Sequence, residues 1–87
     1  MVDQEKRSSR QLVGRVVVSK TGKRFGEVSN LEFENRTGEI LQIVLKSPTG
    51  YCEGLDLERS KNNEPLIPFS SVVAVGDFVV IAEEDIL

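Results

Sequence analysis

The stretch LIPFSSVVAVGDFVVI, residues 66–81, places eleven apolar side chains in sixteen positions near the end of an otherwise polar chain. A strand covered on one face needs an apolar residue only at every second position. Here they occur at both parities on either side of Gly76-Asp77, so each face of this region needs a cover. Pro65 and Pro68 bracket Leu66-Ile67 as a short extended segment, because proline cannot donate to a central ladder. Phe69-Ser70-Ser71 reads as a turn and residues 72–75 as a brief strand. Gly76-Asp77 reads as a reversal with glycine at its first central position, and residues 78–82 as a closing strand. The acidic tail, residues 83–87, is expected to fray.

The preceding chain reads the same way. Residues 1–10 are polar and aperiodic, and predict a mobile arm. LVGRVVVSK, residues 12–20, is a valine-rich strand, and Thr21-Gly22-Lys23 is a loop in which Gly22 can take a positive φ. In FGEVSNLEFE, residues 25–34, the apolar parity slips between Val28 and Leu31. One inserted residue near Ser29-Asn30, a β-bulge, returns Val28, Leu31 and Phe33 to one face. Asn35-Arg36-Thr37-Gly38 is a tight-turn signal leading into EILQIVLK, residues 39–46, which completes a hairpin. On that third strand Leu41, Ile43 and Leu45 form one apolar face, while Ile40 and Val44 share the other with Gln42 and Lys46. Residues 47–64 break the regularity and read as a long excursion tacked down by Tyr51, Leu55 and Leu57. The chain has no long helix-period segment. Five or six short, strongly bent antiparallel strands in one all-β domain, residues 11–82, predict a small β-barrel.

Composition removes several function classes. The chain has 87 residues and no histidine, so the usual general base and the commonest metal ligand are both missing. Its one cysteine, Cys52, excludes an intramolecular disulfide and has no basic residue within four positions to stabilise a thiolate. No phosphate-binding glycine loop or calcium-loop spacing occurs, so no cofactor and no metal are expected. Glu32 and Glu34 share a side of their strand but read as solvated edge charges. Charge is uneven: residues 1–24 carry seven basic against two acidic side chains, net +5, and residues 25–87 carry four against twelve, net −8. The overall charge of −3, with no aromatic interleaved among the early basic residues, disfavours nucleic acid as a partner. No apolar run is long enough to span a membrane as a helix and no signal peptide is evident, so a cytoplasmic location is expected.

Taken in order, these segments resemble a PRC-barrel domain. The resemblance begins with Leu12-Val13-Gly14 and Val16-Val17 and continues through Thr21-Gly22 and Gly26-Glu27-Val28. It then takes in Phe33-Glu34 and Thr37-Gly38, and closes with Ile67-Pro68-Phe69 and Val73-Ala74-Val75-Gly76-Asp77. It covers residues 12–82, and its motif residues are turn and core positions: Gly14, Gly22, Gly26, Gly38, Pro68, Gly76 and Asp77. What it carries over is a fold and no active site. Length and the IPFSSVVAVGD ending are most similar to the stand-alone archaeal PRC-barrel proteins. Those are implicated in cell division as dimeric partners of SepF, the membrane anchor of the FtsZ ring. The resemblance therefore implies a non-enzymatic adaptor recruited to the division site at the inner face of the membrane, touching lipid only indirectly. A ribosome-maturation or RNA-associated role like that of the RimM barrel is the alternative.

One barrel interior takes one face of each strand, which leaves apolar residues over. Ile40 and Val44 on the third strand, and Val73, Val75, Val79 and Ile81 on the last two, are the expected contact residues. The expected occupant is a second copy of the chain, SepF or a paralogous PRC-barrel protein. The competing expectation is that residues 47–64 fold back over that spare face.

Overall fold

The computed structural model describes residues 11–86. The arm expected over residues 1–10 and the terminal Leu87 lie outside the described residues. Strand β1, Val16–Ser19, returns as β2, Arg24–Phe33, through the loop that the sequence marks. Ser19 N donates to Lys23 O at 2.8 Å, Gly22 N donates to Ser19 O at 2.9 Å, and Gly22 has φ +90°. The buried Ser19 hydroxyl accepts from Lys23 N at 3.0 Å. β2 then pairs with β3, Ile40–Lys46, through the expected turn, where Gly38 N donates to Glu34 O at 2.9 Å.

The bulge predicted from the parity slip is present. Val28 lies opposite Leu45 and Asn30 opposite Val44, so Ser29 is the inserted residue and both Val28 and Leu31 face the core. A second irregularity corrects two expectations. Glu32 lies opposite Gln42, but Phe33 lies opposite Ile40, which leaves Leu41 without a partner residue. Leu41 is consequently 49% exposed instead of sharing the face of Ile43 and Leu45. Phe33, the last residue of β2, sits beyond the packed layers and is also exposed.

The remaining strands are β4, Leu66–Pro68, β5, Val72–Val75, and β6, Phe78–Ile81. Together they form one six-stranded sheet in the order β4-β3-β2-β1-β6-β5. All neighbours are antiparallel except β1 and β6, which run parallel with Val17 opposite Val79 and Ser19 opposite Ile81. The purely antiparallel expectation is corrected there, because a long crossover returns the chain to the first strand in the same direction. The sheet does not close through hydrogen bonds. Its two edge strands, β4 and β5, are instead consecutive in sequence and joined by a 3-10 turn, Phe69–Ser71. Ser71 is fully buried at this corner; its hydroxyl donates to Pro68 O at 2.7 Å, and its carbonyl accepts from Ala82 N at 2.8 Å. The barrel is closed by covalent chain.

Val17, Phe25, Ile43, Leu45, Ile67 and Val79 fill the interior with no exposed surface. Each such burial contributes about 1.5–3 kcal/mol relative to exposure. Residues 47–64 hold one helical turn, α1, Gly50–Glu53. Thr49 caps it by accepting from Cys52 N at 3.2 Å, and ties it to β2 by donating through Oγ1 to Arg24 O at 2.6 Å. The Tyr51 ring stands edge-on to Phe25 with centroids 5.6 Å apart. Cys52 and Leu57 enter the interior cluster, with Leu55 packed against it. The excursion therefore contributes to the core. Against the expected fraying, residues Glu83–Asp85 form a 3-10 turn and Ile86 packs on the core. Tyr51 Oη donates to the Glu83 carboxylate, and Lys20 Nζ lies 2.8 Å from Glu84 Oε2.

Candidate functional site

Strand parity decides which apolar residues are left outside. Val17 and Val79 are opposite each other and fully buried, so their neighbours along both strands point outward. Outward on β1 are Val16 and Val18, and outward on β6 are Phe78 and Val80. Val16 lies opposite Phe78, Val18 opposite Val80, and Ala74 of β5 opposite Val80 on the other side. Phe78 is 51% exposed, Ala74 is exposed, and the three valines are half-buried. These five side chains make a contiguous apolar face across three strands. On β2 it is bordered by two charges, Glu27 opposite Val16 and Arg24 opposite Val18. Neither forms an ion pair among the described residues.

This face differs in composition from the expected one. Val79 and Ile81 are core residues with no exposed surface, because the parallel register with β1 turns the odd positions of β6 inward. Val44 is buried too, lying in register between Asn30 and Leu66, and Ile40 packs against the core cluster. Val73 and Val75 are about half exposed on edge strand β5, where Val73 is the residue inserted by a bulge between Val72 and Ala74. The residues of this face that sequence reasoning missed are Val16, Val18, Ala74, Phe78 and Val80. Their signal was present: three consecutive valines, Val16 to Val18, are apolar at both parities just as the final run is.

Arg15 was missed as well, and it positions one end of the face. Its Nε donates to Gln11 O at 2.8 Å and its Nη1 donates to Gly76 O, with Asp77 Oδ1 3.9 Å away. Gly76 itself does not take a positive φ, in contrast to the glycine-led reversal expected. Its N–H donates to Phe78 O at 2.9 Å instead. The guanidinium thus ties the β5–β6 turn to the segment entering β1, and sets Phe78 beside Val16.

Cys52 is fully buried, and burial, reinforced by the Glu53 charge, pushes its thiol up; Arg59 offsets part of this. Among the described residues no group of three His, Cys, Asp or Glu side chains could hold a metal ion. No helix there is long and apolar enough to cross a membrane.

The model of the PRC-barrel domain matches residues 4–85. The chain belongs to the PRC-barrel domain family. This PRC-barrel is also similar to an uncharacterized protein of Methanocaldococcus jannaschii. The two are 27% identical over 82 residues, which cover 94% of the chain and 88% of the relative. Of the turn and core positions that carried the family resemblance, Gly26 lies within β2 opposite Val17, and most of the others occupy turns and strand junctions of the barrel. Gly22 and Gly38 lie in the two hairpin loops, Pro68 ends β4, and Gly76-Asp77 joins β5 to β6. Gly14, with φ +92°, precedes β1 and donates its N–H to Val28 O at 2.8 Å.

Proposed function

We propose that this PRC-barrel is a non-catalytic protein-interaction module whose contact surface is the outer face of β1, β6 and β5. The observation that carries this reading is the row Val16, Val18, Phe78, Val80 and Ala74, joined by register and led by a half-exposed phenylalanine. Isolated exposed apolar residues are ordinary, whereas a contiguous group marks a contact. The rigid framework beneath it, with Val17 and Val79 packed inside, presents the face with little cost in chain ordering.

The finer reading is an adaptor in cell division that joins SepF, the anchor of the FtsZ ring, and so acts at the inner face of the membrane without touching lipid itself. Similarity to the stand-alone archaeal PRC-barrels supports it, and the relative of matching length is archaeal. Calorimetric titration of the chain into SepF from the same organism tests it. Saturable binding at micromolar concentration is expected. Absence of heat and of co-sedimentation at that concentration removes the division role.

A further inference from the structure

We propose that the free end of the β2–β3 hairpin is a second contact surface, which takes an arginine-bearing, partly apolar segment of another protein. This rests on the reading of the barrel as an interaction module and adds a site chemically unlike the β1-β6-β5 face. Glu34 N donates to Glu39 O at 2.8 Å, continuing the register that sets Phe33 opposite Ile40, while Glu32 lies opposite Gln42. Alternation puts Glu32, Glu34, Glu39 and Gln42 on one side of the hairpin and Phe33 with Ile40 on the other. Like charges directly opposite each other in a ladder are destabilising. None of the three glutamates forms an ion pair among the described residues. Gln42 Oε1 is enclosed without a hydrogen-bond donor, since Glu32 on one side is an acceptor and Pro68 on the other has no N–H. The hairpin end thus concentrates acceptors and lacks donors. Departures of this kind from local rules are expected at functional sites.

Apolar contact is available on the same segment. Phe33 and Leu41 are exposed, and Ile40, opposite the first and adjacent to the second, packs on the core and roots both on the rigid barrel. Charge complementarity then selects the occupant. The carboxylates repel phosphate-bearing partners, whether nucleic acid or anionic lipid. A second copy presenting the same end would set carboxylate against carboxylate. Arginine fits better than lysine, because its planar fork meets carboxylates through paired hydrogen bonds. Cross-strand Cβ atoms about 5 Å apart let one guanidinium bridge Glu34 and Glu39. Apolar residues beside that arginine cover Phe33 and Leu41.

The test is fluorescence polarisation of a short labelled peptide alternating arginine and leucine, titrated with the full chain, with circular dichroism to confirm that each variant folds. Lysine and glutamate versions of the peptide are expected to bind more weakly and not at all, respectively. Glu34→Gln with Glu39→Gln is expected to weaken binding about tenfold or more, and Leu41→Ser about fivefold. Asp56→Asn with Asp85→Asn, the same charge change in the excursion and the tail, leaves binding within about twofold. Glu39→Arg supplies the missing cation from within the chain, and is expected to raise the unfolding midpoint while abolishing binding.

Absence of saturable binding overturns the proposal. Equal losses from the two paired charge changes reveal only general attraction to an acidic protein, and also overturn it. Phe78→Ser alters the β1-β6-β5 face alone and is expected to leave the peptide bound, so failure at the hairpin is distinguished from failure of that face. Loss of the peptide in Phe78→Ser places the contact on the outer face and refutes the hairpin site. If the peptide binds only after residues 1–10 are removed, Lys6, Arg7 and Arg10 of the chain itself are the occupant, and the proposal is overturned.

Discussion

Gly26 marks the place where the excursion leaves the barrel, and its replacement by alanine tests a backbone-to-backbone contact. A Cβ at this position would lie 3.0 Å from Lys46 O, 3.3 Å from Pro48 Cα and 3.4 Å from Ser47 O. All three are main-chain atoms, so no side chain can swing aside. Ser47 already holds a positive φ of 51°, which limits how far that segment can retreat. Overpacking of this kind costs about 1–3 kcal/mol. The φ of +156° at Gly26, rarely adopted by L side chains, adds about 1 kcal/mol. A loss of about 2–4 kcal/mol follows for Gly26→Ala, a large share of the stability of a small domain. With a urea m-value near 1 kcal/mol/M, the unfolding midpoint followed by circular dichroism falls by about 2–4 M. Two controls separate space from torsion. Gly22→Ala, at φ +90° with no atom within 4 Å of its Cβ, carries the torsional cost alone, about 1 kcal/mol. Gly76→Ala meets neither obstacle and is expected to be neutral or slightly stabilising, by restricting the unfolded chain. The reasoning is refuted if Gly26→Ala unfolds within about 0.5 kcal/mol of the wild type or costs less than Gly22→Ala.

Further outcomes are expected at Cys52 and at the Lys20–Glu84 pair. The buried, upward-shifted Cys52 thiol should react with a thiol reagent at a rate that tracks unfolding, and Cys52→Ser should cost about 1–3 kcal/mol by enclosing an unpaired hydroxyl; fast labelling of the folded chain contradicts this. The hydrogen bond from Lys20 holds the Glu84 carboxyl below its ordinary 4.5 and, reciprocally, raises the Lys20 amine above 10.5. The Glu84 contribution is present above pH 4.5 and lost as pH falls through the lowered value. The Lys20 contribution is present below pH 10.5 and lost as pH rises through the raised one. A carboxyl NMR titration should find Glu84 below 4.5 in the wild type and returned toward 4.5 in Lys20→Met; a midpoint indifferent to that substitution rules the pair out.

Features closed by short-range hydrogen bonds were legible in the sequence. The hairpin around residues 35–38, the loop at residues 21–23, the brief β4 between Pro65 and Pro68 and the bulge at Ser29 all follow from turn chemistry or strand period within a few residues. The excess of apolar side chains over what one barrel interior accepts was legible too, and with it the expectation of an outward contact. Which of those side chains faces outward was not. The run from Val72 to Ile81 is apolar at both parities, so its alternation carries no preference between Val79 and Val80. Only the parallel register against β1, formed after a crossover of dozens of residues, turns Val79 inward and leaves Phe78 and Val80 outside. The exposed state of Leu41 has the same kind of origin, since it depends on how β3 meets the end of β2. The pairing of Glu27 with Val16 and of Arg24 with Val18, which gives the face its charged border, likewise exists only once the strands are aligned. Local propensity sets where the chain turns and how greasy each strand is. The choice of inside and outside belongs to long-range pairing, because a one-residue change of register exchanges the two faces at no local cost.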